Sequence, residues 1–452
     1  MAGADRISAL PEKTKVSILS RLPITDAVRS SVLSHSWRHL WTLLPGFRAD
    51  LNSHRGPIRS AEHVSRIISS LRGPIRHFYL WADLLHNPPS CLQHFLDLIF
   101  QKDGLWVLSV CCCDGTMAPV QLPSFRSLKY LRLDFISISL PSDFAGFEQL
   151  TSLKLQSVCI SLPDLQSLID GSKKLTSIEL YIEHYLFPDD TANEQPLSLT
   201  FNCPFLKYLR FHIGEEEVDV EPRILSVRCL ESAYVTAGTH YSPSEELVWI
   251  GAAALKFMAD IAHVSHLSLN FDILLCLSRV DVPHTLGIHF RQLKCLKLYG
   301  EMCCTDRRMF KVLCCLLRSM PFLEILELQC NEPFLGYEEG ERPNESDPIP
   351  PNEYKKKEDG YLCLDQTLRR VTISMKKLRG LKDLMWMIHF ILLNANALEL
   401  IKITHSDDRF KVRSRIFEEL CKVEKASTDA HVVFEDINNV AVMINWYNSS
   451  RT

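Results

Sequence analysis

The sequence predicts an α/β repeat protein with a small helical module at its N-terminus and a separate α/β module near its C-terminus. Two observations carry this prediction. A short apolar phrase recurs along most of the chain, and the roughly forty residues at the start follow a helical period instead. The length of 452 residues exceeds what one ordinary core buries, which agrees with an elongated array of repeats.

Residues 5–45 predict three short helices separated by capping residues and prolines. Pro11 falls near the first turn of the first helix, and Pro23 ends that helix. A module of this size can hardly bury two tryptophans and so many apolar groups internally, so it needs a partner surface. The predicted N-caps are Ser8 for the first helix, Thr25 or Asp26 for the second, and Ser34 or Ser36 for the third.

A set of paired residues runs through the same stretch: Leu10-Pro11, Ile18-Leu19, Leu22-Pro23, Val32-Leu33, and Trp37 before Leu40-Trp41. This pattern resembles an F-box, the module that docks on the Skp-type adaptor of a cullin-RING ubiquitin ligase. Thr14-Lys15 stands where the family often carries an apolar pair, so we expect a weaker adaptor-facing surface. The resemblance assigns adaptor docking, or the support of that surface, to Leu10, Pro11, Ile18, Leu19, Leu22, Pro23, Val32, Leu33 and Trp37.

A phrase of the form apolar-x-x-apolar-x-apolar recurs twelve times between Ile75 and Ile403. Its form and spacing resemble leucine-rich repeats, which place one short strand per repeat in a curved solenoid. The Asn or Cys that often follows the phrase is mostly missing, as in the irregular repeats of plant F-box proteins. The solenoid is predicted over residues 60–330. The copies begin at Ile75, Leu105, Leu128, Leu150, Leu175, Leu206, Leu230, Val264, Leu293, Leu323, Leu368 and Leu398.

Helices are predicted between the strands wherever apolar residues recur at helical spacing, namely at Ala61–Leu71, Asp164–Asp170 and Arg307–Met320. Residues 43–59 are predicted to form a connecting loop. Residues 331–360 are predicted to be a flexible loop, because they combine proline, glycine and charge with few apolar groups.

The C-terminal module is predicted over residues 361–435 in the order strand, helix, strand, helix, strand. Its helices are Leu378–Leu393 and Arg415–Lys422, and its later strands lie in Asn394–Thr404 and His431–Phe434. This stretch resembles the FBD module found at the C-terminus of many plant F-box/LRR proteins. The resemblance implies a unit that caps the open end of the solenoid.

Composition and motifs exclude several classes of function. A net charge of −4 over 452 residues argues against nucleic-acid binding, and no apolar run is long enough to span a membrane. Without a secretory signal, the sixteen cysteines are expected to be reduced in the cytoplasm or nucleus. Cys303-Cys304 and Cys314-Cys315 lack the spacing of zinc sites, so we expect core packing and neither metal nor cofactor. Catalytic motifs are absent, which predicts a protein that is not an enzyme.

Function is therefore predicted to lie in surfaces. In each strand the apolar residues point into the solenoid and the intervening residues point to its concave face. Tyrosine and arginine there are typical of binding hot spots, although tyrosine also suits strands that bind nothing. The cations Arg132, Lys154 and Arg210 favour a partner with acidic groups. The candidate target-binding residues are Tyr130, Arg132, Lys154, Tyr181, Tyr208, Arg210 and Tyr234.

Together, the resemblances imply the substrate-recognition subunit of an SCF-type ubiquitin ligase, itself non-catalytic. The F-box would bind the adaptor, and the repeats with the FBD-like end would bind an unknown target protein for ubiquitination. Two alternatives stay open. One is a protein-binding scaffold that directs no degradation, and the other is a co-receptor that holds a hormone-like small molecule against the concave face.

Overall fold

The chain divides into two compact units in the computed structural model. The N-terminal unit comprises residues 1–209 and 218–229, and the C-terminal unit comprises residues 210–217 and 230–452. The structure describes residues 7, 9–51, 60–82, 89–112, 119–186, 197–213, 220–224, 227–238, 244–280, 286–301, 307–331, 361–375, 381–405, 420, 423, 425–436 and 441–444.

Among its described residues the N-terminal module has two α-helices, so the prediction of three is wrong. Where the third was expected, the chain forms turns and short 3₁₀ helices. Serines at positions 30, 31, 34 and 36 are frequent in this stretch, and short hydroxyl side chains favour turns over helix interiors because they bond to nearby backbone. Ser30 Oγ donates to the carbonyl oxygen of Ala27 at 2.6 Å, and Ser31 Oγ donates to that of Val28. The elements are α1 (Glu12–Leu19), α2 (Ile24–Arg29) and the 3₁₀ helices Ser30–Val32 and Leu40–Leu43.

Both helices begin at prolines and have no side-chain cap. Pro11 is the N-cap residue of α1 and Pro23 that of α2. A proline suits this place because the first N–H groups of a helix have no partner inside it. The predicted cap at Thr25 or Asp26 is therefore wrong, and Asp26 pairs with Arg29 at 3.2 Å instead. Ser34 and Ser36 bond to each other at 2.9 Å, and Ser8 lies outside the described residues.

The N-terminal unit contains helices and strands in alternation along the repeats. The helices are α3 (Ala61–Ser70), α4 (Pro89–Phe100) and α5 (Leu162–Asp170). The strands are β1 (Gly46–Asp50), β2 (His77–Ala82), β3 (Val107–Cys112), β4 (Val120–Gln121), β5 (Tyr130–Asp134), β6 (Ile138–Ser139), β7 (Ser152–Ser161), β8 (Ser177–Leu186), β9 (Leu197–Phe201), β10 (Tyr208–Ile213), which crosses the division between the units, and β11 (Val220–Ile224). The main sheet follows the order β1-β2-β3-β5-β7-β8, with each neighbouring pair parallel. Two further parallel pairs are β4 with β6 and β9 with β11.

The elements of the C-terminal unit after β10 are β12 (Ser232–Ala237), α6 (Ser244–Asp260), β13 (His266–Asn270), α7 (Phe271–Arg279), β14 (Cys295–Glu301), α8 (Arg307–Arg318), β15 (Ile325–Asn331), α9 (Leu362–Gln366), β16 (Arg370–Met375), α10 (Leu381–Asn394), β17 (Leu400–His405), β18 (His431–Asp436) and β19 (Ala441–Ile444). Strands β12 to β18 pair in sequence order and are parallel, and β19 is antiparallel to β18.

Each of the twelve repeat phrases carries a strand, and its three apolar residues are buried, which confirms the predicted pattern. The predicted connecting loop is wrong at Gly46–Asp50, which forms β1. There Phe47 and Ala49 are buried while Arg48 and Asp50 are exposed, an alternation too short to stand out in the sequence.

In the predicted C-terminal module, β16, α10, β17 and β18 lie where strand or helix was expected, and α9 and β19 are additional. The FBD assignment itself stays a prediction. Residues 332–360 and the predicted helix Arg415–Lys422, apart from Leu420, lie outside the described residues.

Candidate functional sites: an exposed apolar set and two kinds of strand row

The N-terminal module leaves several large apolar side chains in solvent. Val32 is 86% exposed and Leu33 is 66% exposed, and both lie at the first 3₁₀ helix. Ile18 near the end of α1 and Leu22 just after it are also exposed. We call these four residues the exposed apolar set. Pro11 and Pro23 are exposed as well. So many uncovered apolar groups in one small module indicate a surface that binds a partner.

Three of the predicted docking residues lie deeper in the module. Leu19 is 1% exposed and Trp37 is 3% exposed, while Leu10 is half-buried. Leu19 and Trp37 belong to the core that also contains Ala27 and Leu40. They hold the module in shape and do not present their side chains to a partner.

Lys15 points into the same core. Its side chain is buried, its Nζ donates to Ser36 Oγ at 3.4 Å, and it lies 5.6 Å from the centre of the Trp37 ring. A hydrogen bond and a cation–π contact offset part of the cost of burying the ammonium group. Of the pair expected to weaken the docking surface, only Thr14 is exposed.

The strand residues between the buried leucines form two rows across the N-terminal unit. Neighbours in a row lie on adjacent strands, roughly 4.8 Å apart. The first face row is Arg48, Tyr79, Ser109, Arg132, Lys154 and Glu179. The second face row is Asp50, Trp81, Cys111, Asp134, Gln156 and Tyr181.

Two cations of the first face row, Arg132 and Lys154, are already paired. Arg132 donates to Asp134 Oδ2 from Nη2 at 2.6 Å and from Nε at 2.8 Å, and this hydrogen bonding raises the pKa of Arg132. Lys154 Nζ lies 2.9 Å from Glu179 Oε2. These ion pairs reduce the support for an acidic partner, or an acidic small molecule, at Arg132 and Lys154.

The other predicted target-binding residues are spread over both units. Tyr130 and Tyr208 are half-buried in the N-terminal unit, where burial raises the pKa of Tyr130, and Tyr181 is exposed. In the C-terminal unit, the Arg210 guanidinium lies 5.0 Å from the centre of the Tyr234 ring. Of the seven predicted residues, five lie in the N-terminal unit, and Arg210 and Tyr234 lie in the C-terminal unit.

His212 of β10 is a buried titratable group on the face of the C-terminal unit. Its Nδ1 lies 2.9 Å from Thr236 Oγ1, and burial lowers its pKa to about 4. The folded protein therefore favours the neutral imidazole.

A third kind of row lies one residue before each strand, and sequence reasoning missed it. From the second member onward, each backbone N–H group of such a row donates to the carbonyl oxygen of the preceding member, as Trp106 does to Arg76 and Lys129 does to Trp106, both at 2.8 Å. The N-terminal start row is Arg76, Trp106, Lys129, Thr151, Thr176 and Lys207, and the C-terminal start row is Glu231, Ser265, Lys294, Glu324, Arg369 and Glu399. These residues occupy the second position of each repeat phrase. Aligning the twelve phrases and comparing their second positions would therefore have identified both rows.

The two start rows differ in how their charges are arranged. Trp106 has the Arg76 guanidinium 4.4 Å and the Lys129 ammonium 4.7 Å from its ring centre. Burial, and secondarily the charge of Arg76, lowers the pKa of His77 beside this ring. The C-terminal start row instead pairs Lys294 with Glu324 at 3.4 Å, and it pairs Arg369 with Glu399 at 2.6 Å.

Cysteines in the C-terminal unit pack as core residues. Cys314 and Cys315 of α8 are buried, and Cys363 Sγ donates to the Leu317 carbonyl oxygen at 3.2 Å. Burial raises the pKa of Cys363 to about 12. Within the described ranges, no three His, Cys, Asp or Glu side chains are grouped so that they could hold a metal ion. Cys303-Cys304 lies outside those ranges.

The helices of the described ranges include none with the length and apolar character needed to cross a membrane.

The helical N-terminal module and the repeated strands define a leucine-rich-repeat protein that carries an F-box. A family model described as "FBD-associated F-box protein At5g56370, LRR repeats" matches residues 94–328, and a model of the F-box domain matches residues 7–48. The chain belongs to the plant F-box/FBD/LRR-repeat family.

Individual relatives from Arabidopsis thaliana agree with this assignment. F-box/FBD/LRR-repeat protein At1g13570 is 26% identical over 352 residues, which cover 74% of this chain and 79% of the relative. F-box/FBD/LRR-repeat protein At5g56420 is 27% identical over 357 residues, covering 72% and 77%. The putative F-box/FBD/LRR-repeat protein At3g49030 is 26% identical over 472 aligned positions, covering 96% of each chain.

Proposed function

We propose that this protein is the substrate-recognition subunit of an SCF-type ubiquitin ligase. The F-box binds a Skp-type adaptor, which links the chain to a cullin-RING ligase, and the repeats with the FBD-like C-terminal module bind a target protein. The observation that carries this proposal is the exposure of Val32 and Leu33 in a module that the F-box model matches. Burying two such side chains against a partner stabilises a complex by roughly 1.5–3 kcal/mol each.

In this role the chain makes and breaks no bond. It holds the target beside the part of the ligase that carries ubiquitin, so that transfer to the target becomes effectively intramolecular. Leu19, Trp37 and Lys15 support the docking surface from inside the F-box, because all three are buried there.

Adaptor capture tests this proposal. A purified Skp-type adaptor is incubated with the full chain and with a Val32→Glu/Leu33→Glu double variant. We expect the double variant to lose capture, because a carboxylate cannot be buried in an apolar contact at low cost. Its thermal unfolding should be unchanged, since both side chains are in solvent in the free protein.

A control is Phe322→Glu, which introduces one negative charge at an exposed apolar residue of the C-terminal unit and should leave capture intact. Capture retained by the double variant would contradict the assigned surface, and no capture by the unchanged chain would overturn the proposal. Cullin recovered together with the adaptor separates a ligase subunit from a scaffold that directs no degradation.

A further inference from the structure

The N-terminal start row presents positive charge to solvent at the beginning of each strand. It contains Arg76, Lys129 and Lys207 and no acidic residue. Arg76 and Lys129 are exposed, and within the described part of the chain neither makes an ion pair. We propose that this row is a docking surface for an acidic, extended segment of a partner protein. The identification of that partner as the ligase target rests on the proposed function, but the binding itself does not.

Trp106 holds the two cations in place. Because Arg76 and Lys129 precede the strands on either side of β3, they reach the Trp106 ring from opposite sides, at 4.4 and 4.7 Å. Cation–π contacts of this kind limit the rotamer freedom of long side chains. A partner then loses less conformational entropy when it binds, which favours affinity.

The spacing of the two cations selects the partner's conformation. They belong to positions two strands apart, which corresponds to roughly 9.6 Å. A polyproline II segment repeats its side-chain direction every three residues, which is a rise of roughly 9.3 Å. An extended segment with a carboxylate at every third residue therefore matches Arg76 and Lys129.

Neighbouring turns do not cancel this charge. Asp103 and Glu148 lie in the turns before two of the strands, and the Asp103 carboxylate already accepts the Gly104 N–H at 2.7 Å. Arg126, at the same position before β5, and Lys174, in the turn before β8, are exposed and oppose these acids. The surface as a whole remains cationic.

A protein segment fits the row better than single-stranded nucleic acid does. Nucleic-acid surfaces of this size depend on bases that stack on aromatic rings. Here the faces of the Trp106 ring are covered by Arg76 and Lys129. The hydroxyls of Thr151 and Thr176 donate to backbone carbonyls of the row itself, each at 3.0 Å, rather than pointing to a ligand.

The test uses the full chain and a fluorescein-labelled peptide made of Glu-Pro-Pro repeats, with binding followed by fluorescence anisotropy. The Arg76→Gln/Lys129→Gln double variant should weaken binding by about tenfold or more, since both charges are aimed at the peptide. Lys294→Gln/Arg369→Gln is the matched control in the C-terminal start row and should change the affinity less than about twofold, because those cations are already paired. Raising the salt concentration should weaken binding to the unchanged chain.

Equal losses in the two double variants, or no binding by the unchanged chain, would overturn the proposal. Tighter binding of labelled oligothymidylate than of the peptide would also overturn it, because it would make the row a nucleic-acid surface. Adaptor capture is measured on the same preparations without peptide. Peptide binding without adaptor capture would refute only the ligase function, whereas capture without peptide binding would refute only this surface.

Discussion

The two units build the same strand ladder from the same repeat phrase, yet they place their ion pairs differently. The N-terminal unit pairs Arg132 with Asp134 on the sheet face, and among its described residues Arg76 of the start row makes no ion pair. The C-terminal unit pairs Lys294 with Glu324 in its start row. The apolar positions of the phrase fix the fold in both units, so the intervening positions are free to differ in charge and in function.

These ion pairs differ in solvent exposure and therefore in their contribution to the unfolding free energy. The side chains of Arg132 and Asp134 are 40% and 3% exposed, whereas those of Lys294 and Glu324 are 63% and 46% exposed. Exposed pairs contribute roughly 0–1 kcal/mol, while breaking a more buried pair costs more. The face pair therefore stabilises the N-terminal unit, and the start-row pair mainly cancels charge on the C-terminal unit.

The largest expected effect is a pH dependence of the stability of the C-terminal unit, where His212 is buried. Its folded pKa of about 4 lies below its ordinary value of 6.5, so the unfolded chain takes up a proton before the folded chain does. The contribution of neutral His212 to the unfolding free energy is therefore fully present above the unfolded-state pKa of 6.5. It is lost as the pH falls toward 4, by up to about 3 kcal/mol. Denaturant unfolding of the unchanged chain and of His212→Gln, each at several pH values, measures this loss.

Glutamine at position 212 keeps a hydrogen-bonding group near Thr236 but does not titrate. The difference in unfolding free energy between the two proteins should shrink or reverse as the pH falls from 7 to 4. Curves that stay parallel over this range would contradict the prediction.

A smaller effect is expected from Asp134→Asn in the N-terminal unit. The substitution removes the charge that faces Arg132 and leaves the carboxamide buried, so we expect a loss of about 2 kcal/mol in unfolding free energy. Glu324→Gln is the matched change in an exposed pair and should cost less than about 1 kcal/mol. Equal losses in urea unfolding would show that exposure does not separate the two kinds of pair.

The smallest effect on stability is expected from Glu324→Gln combined with Glu399→Gln. This change leaves Lys294 and Arg369, which belong to positions two strands apart, without their acids, while Glu231 at the start of the row stays acidic. We expect a stability change of about 1 kcal/mol or less and tighter binding of the Glu-Pro-Pro peptide. Anisotropy with that peptide checks the gain, and an unchanged affinity would show that unpaired cations alone do not make the surface.

The strands could be predicted from the sequence because their signal is local. Each phrase places three apolar residues at the spacing that a strand and the turn before it bury on one side. The structure agrees, since residues such as Leu131 and Leu296 are fully buried. The turns that replace the expected third helix could not be predicted from the helical spacing of Trp37, Leu40 and Trp41, because short serine side chains in this stretch favour turns.

The site was less accessible to sequence reasoning for a geometric reason. The sequence motif assigns docking to both Leu19 and Val32, but it does not distinguish the buried side chain of Leu19 from the exposed side chain of Val32. The pairing of Lys154 with Glu179 joins residues of different repeats, so it depends on strand register rather than on local sequence. The same holds for the contact of Trp106 with its two cations.

The order of pairing in the N-terminal unit has a consequence for how the chain is made. From β2 to β8, each strand of the main sheet pairs with a strand that precedes it in the sequence. During synthesis, which proceeds from the N-terminus, each new strand can therefore pair with a strand that has already been made. Its contacts do not depend on segments that are synthesised later. The F-box leaves the ribosome before any repeat, so its apolar residues meet the cell's other proteins while the rest of the chain is still being synthesised.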